Sequence, residues 1–174
     1  IFLLSYIIRG QYKGGRTNFI MFLIILLIFV STICDLGSGA IDVYGRPEKW
    51  IRAFSYVLNH LYFLSRNLTA PLFDLWHVFS VTRTRNIVWV IPVSCAILVI
   101  LLNGLLFNVF RISEEAKYVR GPWTILLYTV SAFYAIWGIG ITVKYRKIIN
   151  RDKFSVLMFM YLMIFSGMFA QFIR

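Results

Sequence analysis

The sequence predicts an all-α fold: a polytopic membrane helix bundle of about six transmembrane segments. Composition is the first reason. Hydrophobic residues make up 60% of the 174 residues, charged residues only 14%, and mean hydropathy is +0.77, whereas a soluble domain carries about a quarter charged residues. Apolar runs long enough to cross a hydrocarbon core of ~30 Å also recur along the whole chain, and short basic clusters separate them. A helix is the open-ended element that can cross lipid, because each unsatisfied backbone group there costs several kcal/mol. The expectation is one transmembrane helical domain over residues 1–174.

Segment one, Ile1 to Ile8, reads as the tail of a helix too short to span alone. It is followed by the basic, glycine-bearing loop Arg9 to Arg16. Segment two runs from about Asn18 to Ile41 and stops at the polar stretch Asp42 to Lys49, where Pro47 suits the first turn of a short interfacial helix. Segment three, about Ile51 to Ser80, is long for one span and is expected to tilt, kink at Pro71 or extend beyond the hydrocarbon. Segments four, five and six run from about Ile87 to Phe107, Trp123 to Val143 and Phe154 to Ile173. With Ile1 at the start and no soluble domain before Arg174, the chain reads as a fragment with an output domain expected after residue 174.

Orientation follows from Lys and Arg in the short loops. Arg9, Lys13, Arg16, Arg83, Arg85, Lys144, Arg146, Lys147, Arg151 and Lys153 fall in one alternating set, and Arg46, Lys49, Arg52, Arg111, Lys117 and Arg120 in the other. The ten-to-six bias puts the first set in the cytoplasm and the N-terminus outside, in a multi-pass protein of the cell membrane.

Segment three carries Asn59, His60, Arg66, Asn67, Asp74 and His77 in a stretch that must cross lipid, where an unshielded ionisable group costs several kcal/mol. His60, Asn67 and Asp74 are spaced by seven, so at ~100° per residue they share a face, with Asn59, Arg66 and His77 on its flank. Two readings stand. In one the stripe glues helices together, with Arg66 paired to Asp35 or Asp74 and His77 near the cytoplasmic interface. In the other His60, Arg66 and Asn67 line a cavity that opens outward to a small ligand or lipid head group. Gly37 and Gly39 near Asp35, Gly138 and Gly140 on segment five and Gly167 on segment six read as close-packing positions.

Catalytic signals are weak, and no cofactor, metal or catalytic set is expected. Glu114 and Glu115 before Arg120 bring to mind membrane-embedded prenyl-protein proteases, but that spacing differs and the acids lie in a loop expected outside. His60 and His77 lack metal-ligand spacing, and Asn67-Leu68-Thr69 is a glycosylation pattern placed mid-membrane. The net charge of +11 sits in short clusters rather than one patch, which reads as topology signal and not as nucleic-acid binding. Cys34 and Cys95 lie inside apolar segments without paired spacing.

Two stretches carry a family likeness: Leu58 to Trp76 with Ser80-Val81-Thr82 following, and Asn103, Phe107, Phe110, Tyr118-Val119-Arg120-Gly121-Pro122, Tyr128 and Tyr134. Together they resemble the seven-helix N-terminal membrane sensor region of bacterial, Firmicutes-type GGDEF diguanylate cyclases and, more distantly, that of seven-helix histidine kinases. The resemblance implies a missing start of helix one, a seventh helix after Arg174, and a cytoplasmic diguanylate cyclase output through which the protein forms a homodimer. It assigns Asn103, Tyr118, Arg120, Gly121, Pro122 and Tyr128 as matching positions, and Asp74 departs from its apolar pattern. The candidate ligand-binding residues are accordingly His60, Arg66, Asn67, Asn103, Tyr118 and Arg120, with membrane lipid and an unknown extracellular or membrane-borne ligand as partners. The input domain of a histidine kinase and a small-solute transporter or channel subunit are the alternative functions, and a membrane-embedded enzyme is a third.

Overall fold

The computed structural model of the chain describes residues 15–44, 48–81 and 90–173. Within them the order is α1 (Gly15–Tyr44), α2 (Lys49–Val81), α3 (Val90–Leu101), β1 (Phe110–Ile112), β2 (Tyr118–Arg120), α4 (Thr124–Lys144) and α5 (Arg151–Ile173). The chain is therefore mostly helical, as expected, with one small antiparallel hairpin added. Segment one, the Arg83 and Arg85 loop, Arg46, Pro47 and the first residues of segment four lie outside the described residues.

The longest helix, α2, holds 33 residues and continues through Pro71, giving a rod of about 50 Å. It is the hub of the fold, packing against α1, α3, α4 and β1. The antiparallel α1–α2 pair is tied by Asn59 Nδ2, which donates to Ser38 Oγ at 2.8 Å, with Leu58 against Gly37. Two apolar clusters divide the core. One gathers Phe63, Ile100, Val109, Phe110, Leu127 and Tyr134 beside the hairpin, and the other Ile20, Ile24, Phe73, Leu157 and Tyr161 at the far end.

Segment four ends earlier than its apolar run suggests: α3 stops at Leu101 rather than near Phe107. Asn103 is the physical cause. Its Oδ1 accepts from the backbone N–H of Val109 at 2.8 Å and of Phe110 at 3.3 Å, while its Nδ2 donates to the Phe110 carbonyl at 3.1 Å. A buried amide that binds the backbone six and seven residues on competes with the next helical turn and folds the chain back. Gly104, at φ +85°, takes the left-handed conformation that this reversal needs.

The hairpin pairs Phe110 with Arg120, Arg111 with Val119 and Ile112 with Tyr118. Its tip closes through Ser113 and Lys117, and Ala116 sits at φ 64°, the left-handed residue that follows a type I turn in short hairpins. The Tyr118 N–H donates to Asp42 Oδ1 at 2.9 Å, fastening the hairpin to the end of α1. After it, Thr124 Oγ1 donates to the carbonyls of Val109 and Gly121. Trp123 takes the N-cap position of α4, so Pro122 lies just ahead of the helix. A side chain at Gly121 would collide with the Asn108 carbonyl, and that close approach brings the hairpin against the helix start.

Large apolar side chains face outward along α1 and α2, and α2 buries several polar ones beside Phe63 and Phe73. The exposed residues of α2 include Trp50, Phe54, Val57, Leu61 and Leu75, while its buried ones include Ser55, Asn59, Ser65, Asn67, Asp74 and His77. On α1, Phe19, Phe29, Ile33 and Leu36 are at least half exposed. Among the described residues two helical stretches are both long and apolar enough to cross a membrane, Phe19–Tyr44 and Thr124–Lys144.

Candidate functional site

The polar stripe of α2 divides into three separate arrangements. Nearest the hairpin is a cluster of arginines and tyrosines. Tyr118 and Arg120 are alternate residues of β2 and so share one face of the strand. The Arg120 guanidinium lies over the Tyr128 ring at 5.5 Å and its Nη2 donates to the Tyr128 hydroxyl at 3.3 Å. Arg66, one helical turn past Tyr62, repeats the arrangement: its Cζ stands 5.6 Å from the Tyr62 ring centroid and its Nη1 donates to the Tyr62 hydroxyl at 2.7 Å. Both distances are within reach of a cation–π attraction.

Tyr118 joins these two pairs. Its ring stacks near Phe63 and Phe110, at 6.4 and 6.0 Å, and its hydroxyl bonds to the Arg120 side chain. Burial, with the neighbouring Tyr128 hydroxyl adding to it, pushes the Tyr118 phenol up to about 12 against the opposing pull of Arg120. At neutral pH the phenol therefore stays protonated and able to donate. Two guanidiniums and three phenols around one half-exposed spot can receive an anionic or hydrogen-bonding group.

His60 lies one turn away, its Nδ1 3.1 Å from the Tyr56 carbonyl and its ring 5.0 Å from Phe110. It is half-buried among aromatic rings. Asn67 sits deeper, donating to the Phe63 carbonyl at 2.9 Å and accepting from Ser131 Oγ at 3.4 Å, which ties α2 to α4. Asn103 is consumed by the chain reversal. Of the six sequence-chosen residues, the structure thus gathers Arg66, Tyr118 and Arg120 into one cluster, sets His60 beside it, and employs Asn67 and Asn103 as internal ties.

The third arrangement is at the far end. Tyr161 of α5 donates to Asp74 Oδ1 at 2.6 Å, and His77 Nδ1 lies 3.0 Å from the same hydroxyl. All three side chains are about 1% exposed. Arg66 does not pair with Asp74, which stands eight positions further along α2, about 12 Å at 1.5 Å per residue. Asp35 is exposed on α1, away from the buried flank that carries Arg66. His77 is buried within the bundle, four residues before the end of α2 at Val81. A Cβ at Gly138 would fall about 2.1 Å from the Tyr161 ring, so the close-packing expectation for Gly138 holds, while Gly140 has open space.

Tyr161 escaped the sequence reading because one tyrosine in the apolar run from Phe154 to Ile173 carries no periodic signal. Its hydroxyl was the available clue, since a buried Tyr O–H usually finds a partner. Lys49, Arg52 and Arg111 were counted only as topology charges, yet they line one cavity beside the hairpin. Glu114 and Glu115 are exposed at the hairpin tip, where Glu115 pairs with Lys117 at 2.8 Å. Among the described residues no group of three metal-ligating side chains converges.

Nothing matches this chain among family models, curated proteins or solved structures.

Proposed function

We propose that the chain is the membrane-embedded input domain of a bacterial signal-transduction protein and controls a cytoplasmic diguanylate cyclase output. The carrying observation is the reversed polarity of α2, with Trp50, Phe54, Val57 and Leu61 outward and Ser55, Asn59, Asn67 and Asp74 inward. Burying amides, a carboxyl and an imidazole while exposing aromatic rings is costly in water and suits lipid, where polar side chains hydrogen-bond between helices. In this reading six segments span the membrane, the N-terminus lies outside, and the hairpin with its Arg66, Tyr118 and Arg120 cluster faces the exterior. A ligand or membrane cue there favours one packing of α2 against α4, and a following helix passes the shift to a homodimeric output.

A reporter fused after Lys153 tests the topology, and an extracellular signal overturns it. The parent reading frame beyond Arg174 tests the class. A further helix followed by a GGDEF domain supports the reading, a histidine-kinase core moves it to the alternative sensor class, and transporter-like helices overturn it. A transport function has one supporting observation: the Asn59–Ser38, Asn67–Ser131 and Asp74–Tyr161 contacts succeed one another along α2. Solute flux in proteoliposomes containing the chain alone favours that reading.

A further inference from the structure

We propose that the cavity between the first turn of α2 and the β1 side of the hairpin binds a phosphate-bearing anion, presented by an anionic phospholipid head group or free in solution. The cavity measures about 730 Å³ and is lined by Lys49, Arg52 and Arg111 and, among the described residues, by no Asp or Glu. Of the acids nearby in sequence, Glu48 accepts from the Trp50 indole, Asp42 from the Tyr118 N–H and Glu115 from Lys117, while Glu114 is exposed at the hairpin tip. Three cations thus line one opening that no described Asp or Glu lines. Arg52 Nε is buried and has no hydrogen-bond partner among the described residues, so a donor is set aside in a place where leaving it unmade is unfavourable. Lys49 begins α2, and the free N–H groups of that helix end add positive potential on the same side.

The rim matches an amphiphile. Leu105 and Leu106 are 81% and 73% exposed and line the cavity together with Trp123, an aromatic suited to head-group depth. Tyr56 holds this wall in place by donating to the Asn103 carbonyl at 2.8 Å. A phosphate seated among the cations would leave an acyl chain lying over the leucines. The site is distinct from the Arg66, Tyr118 and Arg120 cluster; the inference rests on the membrane reading above and not on any output domain.

The test uses the purified full chain in nanodiscs. Phosphatidylcholine nanodiscs with and without phosphatidylglycerol probe the lipid source by native mass spectrometry of retained lipid. Inorganic phosphate titrated into phosphatidylcholine nanodiscs, followed by tryptophan fluorescence, probes the free source. The expected result is saturable binding of at least one probe, weakened roughly twenty-five-fold in R52Q/R111Q, at about fivefold per cation removed, and unchanged in K117Q and K147Q. R111Q alone, on an exposed strand position, gives the about fivefold loss without risk to the fold. Saturable binding of phosphatidylglycerol alone identifies the lipid as the source, and of phosphate alone the free anion. Absence of saturable binding by either probe overturns the proposal, as does binding undiminished in R111Q or equally reduced in K117Q. A chain that remains soluble without nanodiscs overturns the membrane reading instead, and the phosphate titration then decides the cavity by itself.

Discussion

The two halves of α2 carry polar clusters of opposite fate. At the hairpin end Arg66, Tyr62, Tyr118, Arg120 and Tyr128 form a cluster with Arg120 exposed and Arg66 half-buried. At the other end Asp74, His77 and Tyr161 are closed off by α4 and α5. What covers each group decides the difference. A three-residue strand pair shields its neighbours only partly, whereas Gly138 lets the Tyr161 ring reach across and seal the trio. The polar stripe is therefore not one feature. Its far end ties α2 to α5, and its near end is left partly exposed.

The largest effect should come from filling the sealed end. G138A places a methyl group against the Tyr161 ring, and overpacking of this kind costs about 3 kcal/mol. Thermal unfolding in detergent should show a clear fall, and an unchanged midpoint would mean that α4 and α5 do not meet there. Y161F keeps the ring but removes the hydroxyl shared by Asp74 and His77, leaving buried polar atoms without it. The expected cost is about 2 kcal/mol. In a double-mutant cycle with D74L the loss should be smaller than the sum, and strict additivity would break the trio.

At the hairpin end N103A should destabilise by a comparable ~2 kcal/mol, because three backbone groups lose their buried partner. Its signature differs: hydrogen exchange should quicken over residues 109–120 while α5 stays protected. R120Q should change stability least, by about 0.5 kcal/mol, as expected for an exposed cation–π contact, yet alter the output of the sensor proposed above. A large loss of stability with unchanged output would reverse the comparison.

Tyr118 supplies a pH test. Its phenol titrates near 12 in the folded protein and near 10 when unfolded, so the folded state holds the proton more tightly. That contribution is full below about pH 10 and is lost as pH rises towards 12. The stability difference between wild type and Y118F should narrow across that window. A difference that stays constant would place Tyr118 in a wetter setting.

The inward direction of the segment three stripe was legible because a helix repeats its faces regularly and lipid penalises polar groups. Its partners were not. The sequence places Asp74 and Arg66 on one helix and invites an ion pair, but eight positions of helix separate them, and Tyr161 comes from 87 residues away. Likewise the apolar run up to Phe107 gives no hint that Asn103 ends the helix, because that depends on backbone groups that arrive only when the chain turns back.

By itself the sequence determined the mostly helical fold, the spacing of its apolar segments and the polar stripe, since these depend on composition and period along a single strand of chain. Only the tertiary structure decided which cations converge on the hairpin cavity, which tyrosines meet the arginines and which carboxyl is sealed. Those outcomes depend on distances between residues far apart in sequence, and no local periodicity encodes them.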